Sequence, residues 1–195
     1  MYHIKVQVQG VSPVAFNRPS DDLKASIESG KGGGRRSVQQ SMNEAEQKVY
    51  SNGEGLYMPW RWLKKVLLEG CTLANLKYQR RSLYPYLDGA VLVLEKEIPL
   101  NKDTRDFIYE RWGRIPPRTG AIAIIRTPAL NAGWQAAFTL VVGDDGINSD
   151  QVQLALAAGG TLRGVGNNRP EFGRFEITLW EVINGMPDAV EQSRA

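Results

Sequence analysis

Cysteine and histidine are almost missing from this chain. Its 195 residues hold one cysteine, Cys71, and one histidine, His3. A single cysteine closes no intrachain disulfide and leaves a thiolate zinc site without ligands, so a reducing, cytoplasmic setting is expected. A single histidine leaves nucleophilic triads one candidate base, close to the N-terminus. No apolar run approaches the ~18 residues that span a bilayer, and Met1-Tyr2-His3-Ile4-Lys5 has no signal-peptide core, so neither a membrane span nor a leader is expected. No repeat is visible. Net charge is also small: 24 basic and 21 acidic residues give +3, which excludes histone-like and acidic solvating classes.

What is present is ordinary globular composition, 42% apolar and 23% charged, at a length that suits one domain. Twenty glycines and ten prolines favour strands and turns over a helical bundle. The basic residues are biased, with 15 arginines against 9 lysines. Arginine offers a planar fork that pairs with phosphate and stacks on rings.

Residues 2–9 alternate, with Ile4, Val6 and Val8 on one face and His3, Lys5, Gln7 and Gln9 on the other, which predicts a half-buried strand. Residues 17–40 are polar and glycine-rich and predict a mobile loop. Ser41-Met42-Asn43-Glu44 is a capping box ahead of a short helix to Tyr50. Pro59 opens a helix whose face holds Trp60, Leu63, Val66 and Leu67, with Arg61, Lys64 and Lys65 opposite and Gly70 as its stop. Strands are predicted at 90–95, 134–142 and 172–180, the last with Phe175, Ile177 and Leu179 on one face. Ser149 caps a second helix that Gly159-Gly160 ends. Residues 98–133 form an excursion with a short strand-like run at Ala121 to Ile125.

The order strand, helix, strand, strand, helix, strand predicts an α+β fold with a ferredoxin-like, RRM-like βαββαβ core. It occupies 1–183 as a single domain, with insertions at 17–55 and 98–133 and a flexible tail at 184–195. Both helices are expected on one sheet face.

Four constellations carry candidate chemistry. In the excursion, Arg105, Arg111, Arg114 and Arg118, together with Arg126, are interleaved with Tyr109 and Trp112, against two acids. Arginine neutralises phosphate and aromatics stack on unpaired bases; the bland reading is a solvated hairpin. Lys77, Arg80 and Arg81 form a second basic cluster, equally readable as a helix-end cluster satisfying carbonyls. Lys31, Arg35 and Arg36 lie in a glycine run that lacks Walker spacing and reads as a basic finger or a plain loop. Gly164 and Gly166, with Arg169, Phe172 and Arg174, form a glycine-punctuated loop before the last strand. That order is the reverse of a dinucleotide fingerprint, and the loop reads either as a site of close approach or as a tight strand re-entry.

The opening Ile4–Pro13, the Gly55-Leu56-Tyr57-Met58-Pro59 helix entry, and the Gly-x-Gly…Arg-Pro-Glu-Phe-Gly-Arg-Phe ending resemble a group of small bacteriophage proteins. Those look like the RAMP superfamily, whose members include the backbone subunits of CRISPR Cascade complexes. The resemblance covers residues 2–182. It implies a phage-encoded protein in the bacterial host cytoplasm, assembled head to tail along single-stranded nucleic acid, with the 98–133 insertion as a thumb. The chain is shorter than a typical Cascade backbone subunit, which favours the phage group.

The expected function is therefore non-enzymatic, sequence-tolerant binding of single-stranded DNA or RNA, with no cofactor and no metal. Asp21-Asp22 and Asp144-Asp145 have no third ligand in sight. Three alternatives stand beside it: a CRISPR-type RNA-binding backbone subunit, a RAMP endoribonuclease using His3, and a structural assembly protein that holds no nucleic acid.

Overall fold

The computed structural model describes residues 1–19, 38–115 and 121–183. Among these the elements run β1 (Tyr2–Gly10), β2 (Val14–Ala15), α1 (Val38–Glu46), β3 (Tyr57–Pro59), α2 (Trp60–Leu73), β4 (Lys77–Tyr78), β5 (Arg81–Ser82), α3 (Tyr84–Ala90), β6 (Val91–Val93), β7 (Glu97–Pro99), β8 (Phe107–Ile115), β9 (Ala121–Leu130), β10 (Gln135–Val142), α4 (Ser149–Leu162) and β11 (Phe175–Ile183). The fold is α+β, and every paired strand is antiparallel to its neighbour.

Alternation decides the main sheet. Ile4, Val6 and Val8 are buried, and β1 takes an interior place in the strand order β11-β1-β10-β6. β6 and β1 both flank β10 antiparallel, so α2 lies in a crossover between two parallel strands. α4 makes the same kind of crossover from β10 to β11. Leu63, Val66 and Leu67 of α2 meet Val152, Ala155 and Leu156 of α4 in one core with the inward residues of β1 and β10. Trp134 is fully buried beside Gly10, where a Cβ would run into the indole ring. Its Nε1 donates to the Ser12 carbonyl at 2.9 Å, so the largest core side chain leaves no polar atom unpaired.

The two helices meet through glycines that the sequence reading took for stops. α2 passes through Gly70 to Leu73, and α4 passes through Gly159 and Gly160 to Leu162. A Cβ on Gly70 would collide with the Ala155 carbonyl and sit 2.5 Å from the Gly159 nitrogen, and one on Gly159 would collide with the Val66 carbonyl. These glycines let the backbones touch, a packing role that outweighs their poor helix propensity.

Other expectations change in detail. α1 begins at Val38, so Ser41 lies inside the helix, and the chain leaves it after Glu46. Asn148, not Ser149, caps α4: its side chain accepts from the Asp150 N–H at 2.9 Å. Residues 17–19 are pinned in part, since the Arg18 N–H donates to the Lys48 carbonyl. The last strand starts at Phe175. A register shift against Gln7 and Val8 turns Leu179 outward, 45% exposed, and packs Trp180 against the core in its place. Such a bulge flips the face of every later residue. Lys64 is half-buried rather than on a solvent face. Its ammonium donates to the carbonyls of Leu87, Asp88 and Val91 at 2.8, 2.8 and 2.5 Å, holding the end of α3, a helix the sequence reading did not predict. Burial pushes its pKa down against the opposing pull of Asp88. Cys71 is buried, and burial raises its thiol pKa, as suits a small core residue.

The glycine contact yields a paired test. Gly70→Ala is expected to lose about 1–3 kcal/mol through overpacking. Gly89→Ala, where a Cβ meets nothing within 4 Å, is expected to be neutral or stabilising by a few tenths. Urea midpoints measure both; equal effects would refute the backbone-contact role.

Candidate nucleic-acid interface

The 98–133 excursion becomes a long two-stranded ribbon. β8 and β9 pair from Phe107↔Ala129 to Ile115↔Ala121, far beyond the short run at Ala121 to Ile125. At ~3.3 Å per residue the ribbon is roughly 30 Å long. Its root is fixed by β2, which pairs with Leu130 and Ala129, and by the Asp106 N–H donating to the Ala129 carbonyl. Tyr109 and Phe107 near the root are half-buried, whereas Arg111, Trp112 and Arg114 farther out are exposed. Alternation puts Tyr109, Arg111 and Gly113 on one face and Glu110, Trp112 and Arg114 on the other. Trp112 lies opposite Ile124 and is 74% exposed, and Ile122, opposite Arg114, is 64% exposed. An indole this open on a strand is a surface for stacking rather than packing.

The Gly164–Gly173 loop is braced by backbone contacts. The Val165 N–H donates to the Gly173 carbonyl at 2.9 Å, Gly173 to Pro13 at 2.6 Å and Asn167 to Ala15 at 2.9 Å. Gly164 and Gly173 hold φ values of 72° and 78°, and a Cβ on either would strike the opposing loop backbone. Glycine is therefore required at both positions. The loop meets the ribbon through the Phe172 and Tyr109 rings, whose centroids lie 4.8 Å apart at 52°. Arg169 Nη1 donates to Glu69 at 3.0 Å and to the Gly164 carbonyl at 3.3 Å. Arg174 Nε donates to the Pro170 carbonyl at 2.7 Å. Between α2 and this loop opens a cleft of about 410 Å³, lined by Glu69, Arg163, Asn167, Asn168, Arg169 and Pro170.

The remaining predicted residues divide. Arg105 Nε donates to Glu46 of α1 at 2.8 Å, and Arg126, nearly buried, donates to Glu110 across the ribbon at 2.6 Å. These two arginines brace the ribbon's root. Lys77, Arg80 and Arg81 are exposed on the β4–β5 hairpin, whose turn holds Gln79 and Arg80 at positive φ. That hairpin sits at the other end of the main sheet: Gln151 Nε2 donates to the Lys77 carbonyl near the N-terminus of α4, where Tyr2 donates to Ile147. The length of β1 separates it from the glycine loop, about 26 Å. Lys31, Arg35, Arg36 and Arg118 lie outside the described residues, as do Asp21 and Asp22. Asp144 accepts from the Gly146 N–H in a local turn, and Asp145 pairs with the N-terminal ammonium. Among the described residues no cluster of three His, Cys, Asp or Glu side chains is placed to hold a metal.

His3, expected on a polar face, is only 5% exposed, and its Nδ1 has no hydrogen-bond partner. Sequence reasoning missed the cleft, because Glu69 and Arg169 stand 100 positions apart. It also missed Glu46, which carries no local signal.

No protein-family model matches the sequence, and no curated protein is similar to it.

The Arg105 hydrogen bond holds the Glu46 carboxyl below its ordinary pKa. The pairing therefore favours the folded state above the usual glutamate value and is lost as pH falls through the lowered folded one. Carboxyl-carbon NMR should place the Glu46 midpoint below the usual glutamate range. Arg105→Gln should return it to that range; an unmoved midpoint would break the assignment.

Proposed function

We propose that this protein binds single-stranded nucleic acid without enzymatic activity and with little dependence on sequence. In this reading the α+β fold is a ferredoxin-like, RRM-like core, and the ribbon is its thumb. The carrying observation is the ribbon's outer half: Trp112, 74% exposed, stands between Arg111 and Arg114 on a strand rooted against a braced glycine loop. A ring flanked by guanidinium groups can stack a base while its neighbours reach the adjoining phosphates. Every base has a π-face and every nucleotide a phosphate, so this mode is tolerant of sequence. Arg174 at the loop and the β4–β5 cluster extend the basic surface. The phage resemblance adds head-to-tail assembly along the ligand, in the host cytoplasm.

The endoribonuclease alternative needs a histidine that reaches substrate, and the burial of His3 weighs against that role. The protein-only assembly alternative is separated by whether nucleic acid co-purifies with the protein.

Fluorescence anisotropy with labelled oligonucleotides tests the reading. Affinity should fall steeply with salt, and Arg111→Glu with Arg114→Glu should reduce the log–log salt slope by about two. Trp112→Ala should cost about 1–3 kcal/mol of binding and leave the thermal midpoint unchanged. Absent or salt-insensitive binding would overturn the proposal.

A further inference from the structure

The cleft between α2 and the glycine loop has a chemistry of its own. Glu69 and Arg169 are joined side by side, with Nη1 and Oε2 3.0 Å apart. Both remain partly open, at 30% and 24% side-chain exposure, and both line the cleft. Pro170 supplies a flat apolar wall, and Arg163, exposed, supplies a cation at the rim. The volume of about 410 Å³ lies within the roughly 300–1,000 Å³ range of small-ligand pockets.

A carboxylate beside a guanidinium presents acceptor, acceptor, donor along one edge, because an ionised carboxylate only accepts and a guanidinium only donates. The complementary edge is donor, donor, acceptor. Guanine presents it through N2–H, N1–H and O6. Cytosine presents donor, acceptor, acceptor; thymine and uracil present acceptor, donor, acceptor; adenine offers a donor beside an acceptor. We propose that this cleft is a guanine-reading pocket: Glu69 accepts from N1–H and N2–H, Arg169 donates to O6, Pro170 covers one face of the ring, and Arg163 meets the adjoining phosphate. The proposal rests on the single-strand reading and gives an otherwise tolerant binder one specific position. An unpaired base is the form of nucleic acid whose Watson–Crick edge is free to enter such a pocket.

The test compares labelled dT18 with a strand of equal length carrying isolated dG residues, in wild-type protein and in Glu69→Gln, which replaces one acceptor with a donor. Wild type should bind the guanine strand about tenfold tighter or more. Replacing each guanine by inosine, which lacks the N2 amino group, should remove most of that gain without touching the protein. Glu69→Gln should bind both strands alike, with its dT18 affinity kept within twofold. Equal binding of the two strands by wild type, or a guanine preference that survives in Glu69→Gln, overturns the pocket and leaves the single-strand reading standing. If dT18 does not bind, the single-strand reading fails, and a guanosine monophosphate titration followed by tryptophan fluorescence decides the pocket separately. Saturation by guanosine but not adenosine monophosphate supports it, and no response to either overturns it.

Discussion

Backbone meets backbone where α2 crosses α4, at Gly70 and Gly159, and the surrounding arrangement follows from that approach. A side chain at either position would strike a carbonyl of the partner helix. With both absent, the helices close over the sheet, and Val66 and Leu67 reach Ala155 and Leu156 in one core. Glu69, next to Gly70, is thereby held beside the loop that leaves α4, within reach of Arg169. The same loop reaches across to Pro13 and Ala15 and fixes where the ribbon strand β9 enters through β2. One close contact thus sets the cleft, the loop and the root of the ribbon together.

The near-neutral net charge takes on a different meaning once each arginine is placed. Arg105, Arg126 and Arg169 are engaged by Glu46, Glu110 and Glu69, so a share of the arginine excess works inside the protein as struts. Arginine suits that role because its fork holds a fixed geometry against a carboxylate. Arg111, Arg80 and Arg81 are exposed. Composition alone does not distinguish strut from contact, because the deciding carboxylates are supplied by other elements.

The hydrophobic periodicity of β1 and of α2, and the order of the four main strands, were readable directly, since burial of one face writes itself into the spacing of apolar residues. What escaped was set by partners distant in sequence. Gly70, Gly159 and Gly160 read as helix stops because a terminating glycine and a packing glycine look alike until the neighbouring helix is known. β8 gave little strand signal because exposed side chains line both faces of its outer half, leaving no apolar alternation to find. Leu179 was assigned to the wrong face because a single-residue bulge reverses the pleat. Of the candidate site, the ribbon and the glycine loop were identified as segments, and their union through Tyr109 and Phe172 was not.

That union also orders the surface. The ribbon, the loop and the cleft share one end of the sheet, while Lys77, Arg80 and Arg81 occupy the other, about 26 Å away along β1. A ligand held by the first group reaches the second only by running the length of the domain. Weak long-range attraction follows from a net charge of +3. Affinity must then come from short-range contacts at the ribbon and loop, where Trp112 stacks and Arg111 and Arg174 reach phosphate. The basic hairpin at the far end is better placed to meet a ligand segment already committed by those contacts, or one leaving a neighbouring copy.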